Sequence, residues 1–504
     1  MTDEREGISR RSFLGGAAAV TLGVTLAACS TTDRATGGSA ITSVTDRPDP
    51  GAAARVVVVG AGLAGLTAAH DLRDAGWDVV VVEARDRVGG RVFTRYGQRD
   101  GVAFDAGLHA EGGGESIDDN HDQLQALLRT YGIATERRQA DREQKGLVRY
   151  QGQTVPLADF ATLGGGVVAA DYARVAPALE KLAEQHHVDP EHPDRADDAA
   201  TLDGRSLAEF IGSLGLSPQA AFLVEQANVS EYASELRDLS LLFALQQAAV
   251  VAGVPDGSAE TMRIAGGNST LPTAMAAALG DAVVTGAPVS AIRHDGDGVA
   301  VTAGDRVVHG AHVVIAVPPS PLRGVTFDPP LPAALQAVID GLDLGPAVKV
   351  TTQYRSPFWR AEGRSGFSLG DLTYRVSWDA TDSYAAPSGL LSTFTTADNG
   401  VQLAAMADAD RIAFVQGELE QVYSGGAAQQ SGPVATMAWT REPFTGGGYA
   451  AYRPGQMSAF WGPLRDGTDR LHFAGEHTEA LAGYMESAVR SGHRVARQLG
   501  KPSR

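Results

Sequence analysis

Apolar and polar positions along the chain first mark out a strand–helix–strand unit. Arg55 is followed by four valines, Val56 to Val59, the unbroken apolar run of a strand buried on both faces. A helical pattern follows from Leu66 to Ala75, then a second apolar run from Val79 to Val82. His472-Phe473 reads as a later strand, leading through a turn into a helix that runs to about Leu499. Residues 155–260 read as mostly helical and polar-faced, an inserted cap over a cavity. No internal repeat is present.

The first strand and helix are joined by Gly60-Ala61-Gly62-Leu63-Ala64-Gly65. In that spacing Gly60 permits a tight turn, Gly62 lets backbone approach a pyrophosphate, and Gly65 allows close helix–strand packing. The helix start, at Ala64 and its neighbours, offers free N–H groups to phosphates. Glu83 ends the second strand, 18 residues after Gly65, where a carboxylate accepts both ribose hydroxyls of an adenosine and repels a 2′-phosphate. A dinucleotide other than NADP is expected. Glu83-Ala84-Arg85-Asp86-Arg87-Val88-Gly89-Gly90-Arg91 then supplies a second glycine turn, with arginines suited to pyrophosphate oxygens.

This run resembles the E-A-x-x-R-x-G-G-R signature of the flavin-containing amine oxidase family. Two distant segments extend the resemblance: Arg263 to Asn268 with Gly286-Ala287-Pro288-Val289, and His472-Phe473-Ala474-Gly475-Glu476 followed by Gly483-Tyr484-Met485-Glu486. It implies FAD, with Val289 holding the adenine through its backbone, Glu476 meeting the ribityl chain and Met485 aiming helix N–H groups at the flavin. Gly113 and Gly114, in Glu111-Gly112-Gly113-Gly114-Glu115, match the family loop beside the flavin. The fold implied is α/β, a Rossmann-like FAD-binding domain with an interleaved α+β substrate domain. Its FAD-binding parts are expected at residues 52–150, 261–322 and 461–504, and its substrate parts at 151–260 and 323–460.

The same resemblance assigns Tyr449 and Tyr484 to an aromatic sandwich around the substrate amine, and Trp439 to the flavin edge; packed aromatics without such a role are the other reading. Where monoamine oxidases carry a flavin-linking cysteine, in a run like Thr445-Gly446-Gly447-Gly448-Tyr449, this chain has Gly448, so FAD is expected to be noncovalent. The family lysine that precedes a Phe-x-Pro-Pro-Leu-Pro run falls at Gly324, while Lys349 reads as a structural strand residue. That departure puts the reaction with O2, the expected acceptor, in question: slow reoxidation, another group in the lysine's stead, and a dehydrogenase are the alternatives. Glu115 is either a solvated loop acid or a partner for a cationic amine. Aligned on the glycines, Ser116 stands where amino-acid oxidases place an arginine. An amine oxidase is the reading that follows, with an amino-acid oxidase, a desaturase of a larger metabolite, or a noncatalytic flavin-binding lipoprotein as alternatives.

Composition narrows this further. The 504 residues carry 42 basic and 60 acidic side chains, a net charge of −18 that argues against a nucleic-acid surface and suits solubility or cationic substrates. One cysteine, Cys29, excludes intramolecular disulfides and Cys-ligated zinc or iron–sulfur sites. His186-His187-Val188-Asp189-Pro190-Glu191-His192 reads as a solvated loop, and His109 and His121 as satisfied loop histidines, so no metal is expected. No GxSxG, Walker A or HExxH pattern supports a hydrolase or NTPase.

Arg10-Arg11 before the apolar stretch Phe13–Ala28 resembles a twin-arginine export signal, and Leu26-Ala27-Ala28-Cys29 a lipoprotein processing box. Residues 1–28 are therefore expected to be a signal peptide and 29–51 a flexible tether, with Cys29 lipidated. The expected location is the outer face of the cell membrane, touched only through that anchor.

Overall fold

The computed structural model describes residues 54–96, 104–139, 143–252, 254 and 259–502. Arg10-Arg11 and Cys29 lie outside the described residues.

The valine runs build the centre of a five-stranded parallel sheet. Its order is Leu471–Phe473, His312–Ile315, Arg55–Val59, Asp78–Val82, Val283–Val284. Val56, Val57 and Val58 are fully buried, as expected of strands covered on both faces. Helix Leu63–Asp74 packs against the C-terminal helix Met485–Leu499. The approach is close because position 492 is glycine: a Cβ there would sit 2.6 Å from the Ala64 carbonyl oxygen. The first helix begins at Leu63 rather than at Leu66, with Gly62 as its N-cap. Its opening residues are small and weakly patterned, so periodicity alone places the start late.

A four-stranded sheet, Arg306–Gly310, Gly298–Ala303, Val289–Asp295 and Thr326–Asp328, flanks this unit. The second large sheet has seven strands in the order Gln430–Ala438, Ala347–Tyr354, Gly389–Thr396, Val376–Asp379, Ser368–Gly370, Leu147–Tyr150, Gln153–Pro156. Here the structure departs from the expected boundary at residue 150. Leu147–Tyr150 pairs in parallel with Ser368–Gly370, because Leu147 and Val148 bury their side chains in the substrate sheet rather than in the nucleotide half. Between Leu157 and Val251 the chain is helical and forms the cap. Among the described residues no helix is long and apolar enough to cross a membrane.

Every strand of the parallel sheet with a motif behind it ends on one rim. Gly60 follows Val59, Glu83 follows Val82, Ala316 follows Ile315, and Gly475 follows Phe473 closely. The carboxyl ends of parallel strands are where doubly wound sheets hold nucleotides, and the cavity of this protein opens there.

Candidate active site

The cavity encloses about 420 Å³ and runs from that rim to the seven-stranded sheet and the cap. At its nucleotide end the three motif glycines have three different surroundings. Gly60 has φ +102, and a Cβ there would meet Val317 at 2.8 Å. A Cβ on Gly65 would fall 2.0 Å from the Gly60 carbonyl, while one on Gly62 would meet nothing within 4 Å, since Gly62 faces the open cavity. Ala64, the second residue of the helix, lines the same space, and this helix start has no side-chain cap and no acid in its first turn. Its N–H groups are therefore left for a bound anion.

Glu83 is buried beside them, accepting hydrogen bonds from the Ala61 N–H at 2.8 Å and the Arg85 N–H at 2.9 Å. Ala84 and Arg85 line the wall, and Arg85 is fixed by Glu442 at 3.1 Å and Thr445 at 2.8 Å. Gly89 (φ +93) donates to the Ala61 carbonyl at 2.8 Å and folds the second turn back on the first. Gly90 follows at φ +55. Arg91 reaches across to Glu476 and the Gly448 carbonyl. Burial would raise the Glu476 carboxyl, but the Arg91 charge and the Gly483 N–H at 2.8 Å outweigh it and hold the group below the usual range. Gly475, Val289 and Met485 also line the cavity, and Met485 opens its helix without a side-chain cap.

Gly113 and Gly114 pass where no side chain fits. A Cβ on Gly113 would sit 1.8 Å from the Arg91 carbonyl, and one on Gly114 would lie 3.2 Å from Met485. Asn268 braces this loop through the carbonyls of Gly114 (2.9 Å) and Glu115 (2.8 Å), and Trp439 donates to Gly112 at 2.7 Å. The buried Trp439 thus lies at the cavity wall with its indole N–H engaged.

Glu115 differs from both expectations. It is neither solvated nor open to a cationic amine, because protein cations occupy it. Arg263 donates at 2.6 Å, Lys349 at 2.9 Å and the Trp378 indole at 2.8 Å. Burial opposes its ionisation, yet Lys349, Arg263 and Arg138 hold its carboxyl far below the usual value. Lys349, expected to be structural, stands on the fully buried strand Ala347–Tyr354 and borders the cavity, its ammonium bonded also to the carbonyls of Glu111 and Gly113 and 5.0 Å from the Trp378 ring centre. Gly324 lines the cavity without contributing a charge. A lysine between valines in a strand pattern was the signal available in the sequence.

Tyr449 and Tyr484 both line the cavity. Tyr449 donates to the Ser230 carbonyl at 2.8 Å and Tyr484 to Glu231 Oε1 at 2.7 Å, so consecutive cap residues tether both phenols. Burial raises the Tyr484 hydroxyl well above its usual value, aided by the charges of Glu231, Asp118 and Glu260. His121 meets the Tyr484 ring edge-on at 5.3 Å, whereas His109 stacks on Tyr384 at 5.0 Å. His187 pairs with Asp197 on an exposed loop, and among the described residues no acid, histidine or cysteine group could hold a metal ion. Ser230, Glu231, Trp378 and Arg138 are cavity residues that sequence reasoning missed; the cap's general amphipathicity concealed the first two, while Trp378 stands on the strand Val376–Asp379 and Arg138 follows the short strand Thr135–Arg137.

The cavity fits FAD: uncapped helix starts for phosphates, a buried carboxylate at the adenosine end, and glycines where a flat ring needs room. A cysteine at position 448 would be crowded, since a Cβ there would lie 2.8 Å from that of Ala347. The fold and site define a flavin-dependent amine oxidoreductase. Residues 63–500 match the profile of flavin containing amine oxidoreductases, and the chain belongs to that family. It is 28% identical to an L-amino acid dehydrogenase of Synechocystis over 89% of this chain and 95% of that one. Among solved structures, wild-type putrescine oxidase bound to putrescine is similar with a TM-score of 0.79 and 28% identity, covering 88% of this chain and 98% of that one. Cyclohexylamine oxidase from Brevibacterium oxydans matches at TM-score 0.77 and 27% identity, over 89% and 98% of the two chains.

Proposed function

We propose that this protein oxidises a primary amine held between Tyr449 and Tyr484, with O2 as acceptor and FAD bound noncovalently. The balanced reaction is amine plus O2 plus water giving aldehyde, ammonia and hydrogen peroxide. Bound FAD supplies a ring that accepts two electrons as hydride. The chain's own residues bind and orient. Gly60, Gly62, Ala64, Glu83, Arg91, Val289, Gly475, Glu476 and Met485 would hold the cofactor, and Gly113 and Gly114 would give its ring clearance.

The observation that carries this reading is the pair of phenols tied to adjacent cap residues beside a buried lysine. Their aromatic walls exclude water from a neutral amine, and Trp439 closes the neighbouring wall. Lys349, paired with Glu115 and bonded to the Glu111 and Gly113 carbonyls, braces the loop beside the ring.

A second reading is favoured by one contact. Arg138 lines the cavity and donates to Ser116 at 2.8 Å, so a guanidinium stands near where an amino-acid carboxylate would need one. Oxygen uptake with a panel of amines and L-amino acids separates the two. Amine-dependent uptake with equimolar peroxide and aldehyde supports the first reading. Turnover of L-amino acids alone supports the second, and reduction of a dye without oxygen uptake makes the protein a dehydrogenase.

We propose also that the chain is exported by the twin-arginine route and anchored through lipidated Cys29. Arg10-Arg11 and the Leu26–Cys29 box support this reading. Incorporation of labelled fatty acid by wild type, lost in Cys29→Ala, is the expected outcome; label retained by the variant contradicts it.

A further inference from the structure

Two helices begin beside the second phenol, and one carboxylate joins their starts. Tyr484 is the N-cap of helix Met485–Leu499, and His121 is the N-cap of helix Asp122–Thr130. Neither N-cap side chain bonds to its own helix. Two of the N–H groups that open Asp122–Thr130 are satisfied from the other helix instead. Glu486 accepts from the Gln123 N–H at 3.2 Å through Oε1 and from the Leu124 N–H at 2.7 Å through Oε2. Arg490, one turn further along, donates to Oε1 at 2.8 Å. The Glu486 side chain is fully buried and lies in the first turn of its own helix, so the dipoles of both helices favour its charge.

The same joint grips the cavity wall. His121 meets the Tyr484 ring edge-on at 5.3 Å, and its Nδ1 accepts from the Asp118 N–H at 3.1 Å. Of three consecutive residues, Tyr484 and Met485 line the cavity, while Glu486 points into the joint between the helices. Apolar packing alone lets a helix slide or turn a little on its neighbour. Directional bonds to two successive N–H groups fix both its rotation and its position along the axis.

We propose that Glu486 is a positioning residue: by capping helix Asp122–Thr130 it fixes the start of helix Met485–Leu499, and so sets Tyr484 against the amine and the Met485 N–H against the flavin. Its effect through Tyr484 rests on the amine-oxidation reading; its effect through Met485 needs only bound FAD.

Three variants test this, each purified with its FAD. Glu486→Gln keeps one acceptor oxygen and loses the charge, and Glu486→Leu loses both acceptors. Gln123→Pro removes one donor from the opposite helix, at an exposed position in a first turn, where proline is tolerated. Two properties are read per bound flavin: the absorption bands of the oxidised flavin without amine, and the limiting rate of anaerobic reduction by an amine. Glu486→Leu is expected to shift the bands and to slow reduction by about tenfold or more, the scale of a small misplacement at a reacting centre. Glu486→Gln should recover part of that loss. Gln123→Pro should slow reduction by about twofold or more, as one hydrogen bond is lost, and it decides the matter should the buried substitutions not fold. A mere brace would lower melting temperature and flavin content but leave both readings at wild-type values in every variant that keeps FAD. That result overturns the proposal. If no amine reduces the wild-type flavin, the amine reading fails on its own. The bands without amine then decide for Glu486: shifted, they support its placing of Met485, and unchanged, they refute it.

Discussion

Lys349 and Glu115 show how a single buried pair ties the substrate sheet to the glycine loop. Their side chains are 10% and 9% exposed, and the ammonium also holds two carbonyls of the loop. Lys349→Met leaves Glu115 with less compensation, and breaking a buried pair from one side costs about 3–5 kcal/mol. Denaturant unfolding should show a loss of that order, and Lys349→Met with Glu115→Gln should recover a large part of it. A single variant as stable as wild type, or a double variant no better than the single, contradicts this account. Glu111 makes a pH prediction. Burial, with Glu115 nearby, pushes its carboxyl up to about 7 against hydrogen bonds from Asn268 and Thr94. The folded state then binds a proton that the unfolded chain has released, so this residue's contribution is present below the ordinary carboxylate pKa and is lost as pH rises towards 7. Glu111→Gln cannot titrate and should gain on wild type by about 1–3 kcal/mol across that window. A stability difference that stays flat from pH 4 to about 8 refutes the assignment.

At the scale of elements, the contact between helices Leu63–Asp74 and Met485–Leu499 joins the first and last motifs. Gly492→Leu would place atoms inside the Ala64 carbonyl and Thr67, separating the helices. Overpacking of this kind costs about 1–3 kcal/mol and should lower both the melting temperature and the flavin content of the purified protein; unchanged values for both would contradict it. The valine strands, the glycine turns and Glu83 were legible because backbone demands at these positions admit few residue types. The strand Leu147–Tyr150 was not, since a short apolar run carries no mark of which sheet it joins. Lys349 was hidden for a related reason. Its flanking valines say that it stands on a strand, and only the tertiary arrangement brings Glu115 and the Glu111 and Gly113 carbonyls to its ammonium.

Across the whole molecule, the chain crosses repeatedly between its two halves. The parallel sheet gathers strands from residues 55 to 473, and the seven-stranded sheet takes strands from residues 147 to 438. The cavity lies where they meet, so its nucleotide end was readable from local motifs while its substrate end depends on pairings hundreds of residues apart. Glu115 is the clearest case: its partners Arg263, Lys349 and Trp378 come from three separate segments. The alternative assignments at that end were therefore beyond local pattern. The function proposed for this protein requires that an amine reduce FAD in this cavity between Tyr449 and Tyr484. Anaerobic mixing of the purified yellow protein with amines, followed by flavin absorbance, measures that step alone. Bleaching by amines is expected in wild type, with a slowing of about 100-fold or more in Tyr484→Ala and FAD still bound, the scale expected when positioning at a reacting centre is lost. Flavin that no amine bleaches, or a Tyr484→Ala protein reduced as fast as wild type, contradicts it.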